Sequence, residues 1–132
     1  MSPKKLPTRK AGIPEARSRR QIAQKYLEVA DVVAVEDGAA INVAVGLAVL
    51  AGIAAGDAIC IAAIGERYSG SDHSAAAGLL SRVDAALGKQ LRRIVDLKPG
   101  SHYGDRLLRT QDRTIALRAA ALLVDAARER VP

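Results

Sequence analysis

Apolar positions recur along most of this chain at intervals of three and four, the period of an α-helix, and no segment alternates convincingly with period two. Residues 15 to 35 align Ile22, Tyr26, Val29 and Val33 on one stripe and leave Arg19, Arg20, Lys25, Glu28 and Asp31 off it, which predicts an amphipathic helix. Glu36, Asp37 and Gly38 make a turn short enough to force an antiparallel return. The return is the most apolar stretch of the chain, AAINVAVGLAVLAGIAAGDAICIAAI from Ala39 to Ile64. After Gly65 comes a polar loop, ERYSGSD, whose Asp72 is placed to cap a third helix from His73 to about Val83, with Leu79, Leu80 and Val83 inward. A fourth helix over residues 85 to 96 turns Leu87, Leu91 and Ile94 inward and Lys89, Arg92 and Arg93 outward. Lys98, Pro99 and Gly100 end it. A last helix from about Asp112 to Arg130 presents Ile115, Ala119, Leu122 and Ala126. The pattern predicts an all-α, up-and-down bundle of about five helices around a single core, since 132 residues suffice for one core and not two.

Ala39 to Ile64 is long enough to span a bilayer, but much of it is alanine and glycine, and Asn42 and Asp57 lie inside it at a cost of several kcal/mol. A buried central helix is the reading it supports, with no membrane span. Gly46, Gly52 and Gly56 each weaken an isolated helix by about 1 kcal/mol, yet they let other backbones approach. Close approach suits a chain that lacks Phe and Trp and has Tyr only at 26, 68 and 103. Gly52 and Gly56 share a face that suits contact with another helix, from this chain or a second subunit. Asp57 must find a cation or several donors. Either it is a core aspartate bonded to backbone or to an arginine, or it orients a basic or hydroxyl group in a site. Cys60, the single cysteine, reads as a small buried core residue in a reducing cytoplasm.

Charge is unevenly placed. Residues 1 to 20 hold seven basic residues against Glu15, which accounts for the whole net charge of +6; thirteen basic and thirteen acidic residues share the remainder. Residues 1 to 14, with Pro3, Pro7, Gly12 and Pro14, read as a flexible basic tail ahead of a bundle over 15 to 132. Such a tail either solubilises the chain or associates with phosphate backbones through Coulomb attraction. No apolar run follows the basic start, so no secretory leader is expected, and no glycine-rich phosphate loop occurs.

Two stretches carry a family likeness: GIAAGDAICIAAIGERYSGSDHSAAAGLL, from Gly52 to Leu80, and LRRIVDLKPGSHYGD, from Leu91 to Asp105. Together they resemble a small HEPN-domain protein of the actinobacterial kind, over roughly residues 16 to 130. The resemblance implies a cytoplasmic helical bundle that is commonly dimeric, here a homodimer, and works without a cofactor or metal. In many members it implies metal-independent RNA cleavage through an arginine, a polar residue, three variable residues and a histidine. Other members are non-catalytic partners of nucleotidyltransferases, as in toxin-antitoxin pairs, or bind RNA or nucleotides.

Laid on this chain, the motif puts Lys98 at the arginine, Pro99 at the polar position and Tyr103 at the histidine, with His102 one residue early. Tyrosine, with a reference pKa of about 10, is a poor base near neutrality. Lysine lacks arginine's bidentate fork. The expected function is therefore a HEPN-like binding protein, with Asp57, Arg67, His73, Asp105, Arg106 and Arg109 as candidate binding residues. The alternative is an endoribonuclease toxin in which His102 is acid and base, Lys98 holds the phosphate, and Asp57 and Tyr103 orient groups; a further alternative is nucleic-acid association through the tail. Arg67 and His73 form a second arginine–histidine pair, separated by five residues, but ahead of the third helix. Arg106 and Arg109 would form a positive rim with Lys98 beside His102, and this Pro-Gly corner is expected to lie against Asp57.

Overall fold

The structure is a computed structural model that describes residues 5–102 and 106–132. Its elements are β1 (Thr8–Lys10), α1 (Ile13–Val33), α2 (Ala39–Ile64), β2 (Glu66–Tyr68), α3 (His73–Val83), α4 (Ala85–Val95), α5 (Lys98–His102) and α6 (Thr110–Arg130). This is an all-α helical bundle with one minor two-stranded sheet.

α2 is the axis of the bundle, buried along most of its length from Ile41 to Ile61. α1 and α6 cover it most extensively, and α3, α4 and α5 also touch it. By length and composition α2 could cross a bilayer, yet 67% of its most apolar stretch is buried inside the bundle. Gly52 and Gly56 are contact points within the chain. A Cβ at Gly52 would lie 2.9 Å from Ile94 Cδ1 and 3.3 Å from Leu123 Cδ1, and one at Gly56 would lie 3.2 Å from Leu91 Cδ2. α4 and α6 therefore sit almost against the α2 backbone. Gly65, at φ +69°, closes α2 in the left-handed conformation that glycine adopts without penalty and turns the chain into β2.

The inward faces of the two outer helices match the expected ones only in part: Tyr26, Ala119 and Ala126 pack inward, whereas Ile22, Val29, Ile115 and Leu122 do not. On α1 the buried residues are Ala16, Ala23 and Ala30, while Ile22 and Val29 remain 40% and 42% exposed. On α6 the buried set is Ala116, Ala119, Ala120, Leu123, Val124 and Ala127, with Ile115 and Leu122 on the outside. On α1 alanine allows the closest approach to a glycine- and alanine-rich central helix and the wider Ile22 and Val29 lie on the flank, whereas on α6 the alanines share the inner face with Leu123 and Val124, Leu123 filling the space that Gly52 leaves open.

The N-terminal region also departs from expectation. Residues 8–10, read as flexible tail, form a strand antiparallel to β2, with Thr8 opposite Tyr68, Arg9 opposite Arg67 and Lys10 opposite Glu66. Leu6 and Ala11 pack on the core, and α1 already begins at Ile13 with Pro14 in its first turn. Strands of three residues, two of them rich in charge, are too short for alternation to be visible. The loop ERYSGSD is accordingly strand over its first three residues. Likewise, the Lys98-Pro99-Gly100 break is not open coil: it begins the short helix α5, where proline's missing N–H falls in a first turn that needs none.

One glycine of α3 is free to change. A Cβ at Gly78 would meet only Leu6 Cδ1, at 3.9 Å. Gly78→Ala should therefore gain about 0.5–1 kcal/mol from reduced backbone entropy and raise the melting temperature by a few degrees in a thermal denaturation. A lower melting temperature would mean that α3 packs more tightly there than described.

Candidate anion-binding site

Asp57 is the only buried charged residue among those described, 7% exposed on α2. Its Oδ2 accepts a hydrogen bond from Arg19 Nη2 of α1 at 3.1 Å and faces Arg67 Nη1 of β2 at 3.5 Å. The α1–α2 hairpin brings Arg19 there: residue 19 lies eighteen positions before Asp37 in the turn and residue 57 twenty after it, so the two stand at nearly the same height.

Arg67 is placed by the small sheet. It occupies the middle of β2, and the strand is fixed on either side by Ala11 N donating to Gly65 O and Ser69 N donating to Pro7 O, both at 3.0 Å. Thr8 Oγ1 also donates to Glu66. The next five residues fold tightly. Asp72 N donates to the Tyr68 hydroxyl at 3.1 Å, and the Asp72 carboxylate caps α3 by accepting from Ser74 N at 3.0 Å. His73, the first residue of α3, is thereby turned toward the same recess.

Around these groups is a pocket of about 230 Å³. Arg19, Asp57, Arg67 and His73 supply its charged and titratable lining; Tyr68, Ser69 and Gly70 form one side, and Ile53 and Ala76 the apolar remainder. Burial pushes the Asp57 carboxyl above the usual carboxylate range, against the pull of the Arg19 and Arg67 guanidiniums. Burial, reinforced by the Asp57 charge, pushes the Cys60 thiol up to about 12. Cys60 is therefore a protonated core residue without thiolate reactivity near neutrality.

The Pro-Gly corner lies elsewhere. Asn42, near the start of α2, accepts from Leu108 N at 2.9 Å through Oδ1, and its Nδ2 donates to the carbonyls of Gly100 and Arg106, each at 3.4 Å. These bonds satisfy the polar side chain inside the apolar helix and dock the corner on the N-terminal end of α2. Asn42 and Asp57 are separated by about 22 Å at 1.5 Å per residue. The expectation that the corner meets Asp57 is therefore corrected: a hairpin places the C-terminal half of α2 beside the N-terminal half of α1, whereas the α4–α6 connection returns to the opposite end.

Of the residues singled out in the sequence, Asp57, Arg67 and His73 come together. Lys98, half-buried, and Arg106, exposed, belong to the far end, where Arg109 N donates to Asp112 Oδ2 at 2.9 Å as α6 starts. The His102 side chain, Tyr103 and Asp105 lie outside the described residues. Arg19 was missed, although counting outward from the hairpin turn pairs it with Asp57; Tyr68 and Ser69 carried no comparable signal. Among the described residues no three of His, Cys, Asp and Glu are grouped as a metal site would require. What the pocket offers is guanidinium, hydroxyl and imidazole groups around a recess, the donor set for an oxyanion. No protein-family model matches the chain, and none of the curated proteins matches it.

Proposed function

We propose that this chain is a HEPN-like helical protein that acts by binding, as a homodimer and as the partner of a nucleotidyltransferase or of a toxin-antitoxin system, and that it takes RNA or a nucleotide through the Arg19–Asp57–Arg67–His73 pocket. The observation that carries this reading is the pair of guanidiniums held on one buried carboxylate at a cavity mouth. Two guanidiniums against one carboxylate leave a net positive charge in the recess, which concentrates anionic ligands. Catalysis is not part of the reading, because Lys98 and Tyr103 stand where the resemblance calls for arginine and histidine.

Incubating the purified protein with total RNA, with His102→Ala and Arg67→Met variants alongside, separates the possibilities. The expected result is intact RNA in every sample and RNA binding that Arg67→Met reduces at least tenfold while His102→Ala leaves it in place. Cleavage that disappears in His102→Ala would replace the binding reading with the ribonuclease one.

A further inference from the structure

Resting on that reading, we infer that the pocket is a receptor for a single terminal phosphate, the end of a phosphomonoester, with the rest of the ligand outside. Charge is the first argument. One carboxylate faces two guanidiniums, and Asp57 is the sole acid among the described residues that line the recess, so these residues carry a net positive charge before His73 is considered. Had Asp57 served only to join α1 to α2, Arg19 alone would have neutralised it. The second arginine, delivered by a separate strand, leaves a surplus.

The direction of that surplus is the second argument. Asp57 holds both arginines from behind, through one oxygen, from the floor of the bundle. Each guanidinium has five N–H donors in a rigid fork. The Arg19 and Arg67 side chains remain 27% and 32% exposed, so donors are left over at the mouth. Tethering fixes their rotamers in advance, which lowers the entropy lost when an anion arrives. Tyr68 accepts from Asp72 N and keeps its own O–H to donate, and Ser69 adds a second hydroxyl on the same side.

Size supplies the class. At about 230 Å³ the recess lies below the usual range for a site that encloses a whole drug-sized ligand. A tetrahedral oxyanion and its first linked atoms fit this space, with the rest of the ligand at the open side. A phosphodiester has organic groups on two sides and must pass both through one mouth, whereas a monoester has only one. A free phosphorylated metabolite, a nucleotide 5′-phosphate and a 5′-phosphorylated RNA end all present this chemistry.

Calorimetric titration of the full chain with inorganic phosphate, 5′-AMP, adenosine, 3′,5′-cyclic AMP and a short RNA with or without a 5′-phosphate tests the inference and distinguishes the sources. Inorganic phosphate and 5′-AMP should bind, adenosine should not, and the cyclic diester should bind at least tenfold more weakly than 5′-AMP. Arg67→Met should weaken 5′-AMP at least tenfold and Arg67→Lys by less, with circular dichroism reporting that both remain folded. Lys89→Gln, on the exposed side of α4, should behave as wild type. Equal binding of 5′-AMP and the cyclic diester, or phosphate binding indifferent to Arg67→Lys and Arg67→Met, would overturn it. If RNA binding depends on Arg67 while inorganic phosphate and 5′-AMP fail to bind, the terminal-phosphate inference falls and the binding function stands. RNA binding indifferent to Arg67 while 5′-AMP binding depends on it would leave the phosphate pocket and remove the RNA reading.

Discussion

Gly88→Ala should destabilise the protein by about 1–3 kcal/mol or more, although alanine is the better helix former. A Cβ at residue 88 would lie 2.7 Å from Ser81 Cα and overlap the Ser81 hydroxyl. The nearest obstacle includes backbone, so no side-chain rotation relieves it. The corner between α3 and α4 is also fixed from outside. Asp84 caps α4 by accepting from Ala86 N at 3.0 Å and Leu87 N at 3.1 Å, and it pairs with Arg130 of α6 at 2.6 Å. Those bonds hold the Asp84 carboxyl below the usual carboxylate range, the backbone bond from Leu87 first among the causes. A group shifted that way stabilises the fold above its unfolded pKa and loses its contribution as the pH falls through its folded value. Gly88→Ala should therefore lower the melting temperature at neutral pH by roughly 5–15 °C, opposite in sign to Gly78→Ala one helix earlier. An unchanged or higher melting temperature would contradict the described α3–α4 contact.

The second large effect is an asymmetry at the pocket. Arg19→Met removes the closer of the two cations from a carboxylate that is 7% exposed, leaving only Arg67 Nη1 at 3.5 Å. Stranding a buried charge costs about 3–5 kcal/mol when no partner remains, so a loss of about 2–4 kcal/mol is expected here. Asp57→Asn removes instead the charge whose burial is unfavourable, and the two partly exposed arginines rehydrate. Its cost should be about 1 kcal/mol or less, with binding lost because the tether is gone.

The pH dependence follows from the same geometry. Burial raises the folded pKa of Asp57, so its contribution to stability is fully present below the unfolded pKa and declines as the pH rises through the folded one. Losing Arg19 raises the folded value further. The deficit of Arg19→Met relative to wild type should accordingly shrink as the pH is lowered from 7 toward 4, and Asp57→Asn should remove that slope. Denaturant titrations at both pH values measure this, and an Asp57→Asn variant less stable than Arg19→Met would refute the proposed balance.

Periodicity was enough to place α1, α3, α4 and α6, because apolar residues at three- and four-residue intervals have no other regular solution, and the apolar run placed α2. It was not enough to orient them. Ile22 and Leu122 dominate a hydrophobicity count, yet Ala16, Ala23 and Ala30 carry the α1 contact, while the space beside Gly52 and Gly56 is filled by Ile94, Leu123, Leu91 and Leu80; which helices meet there decides the inner face, and a periodicity count does not see that. β1 and β2 were illegible for a different reason: three residues give too little alternation, and their pairing joins segments 58 residues apart. The pocket was half legible. Asp57 announced itself as a charge in an apolar helix, and Arg67 and His73 by type and spacing, but Arg19 looked like one more cation on a solvated face until the hairpin turned it toward Asp57.

The central claim is that binding chemistry belongs to the Asp57 end of α2 and not to the corner docked on Asn42. Backbone amide chemical shifts of isotope-labelled protein, followed while 5′-AMP is added, test it most directly. The account predicts saturable changes centred on Arg19, Asp57 and the segment from Arg67 to His73. Changes centred instead on Asn42, Lys98, Arg106 and Arg109, with the Asp57 end unmoved, would contradict it.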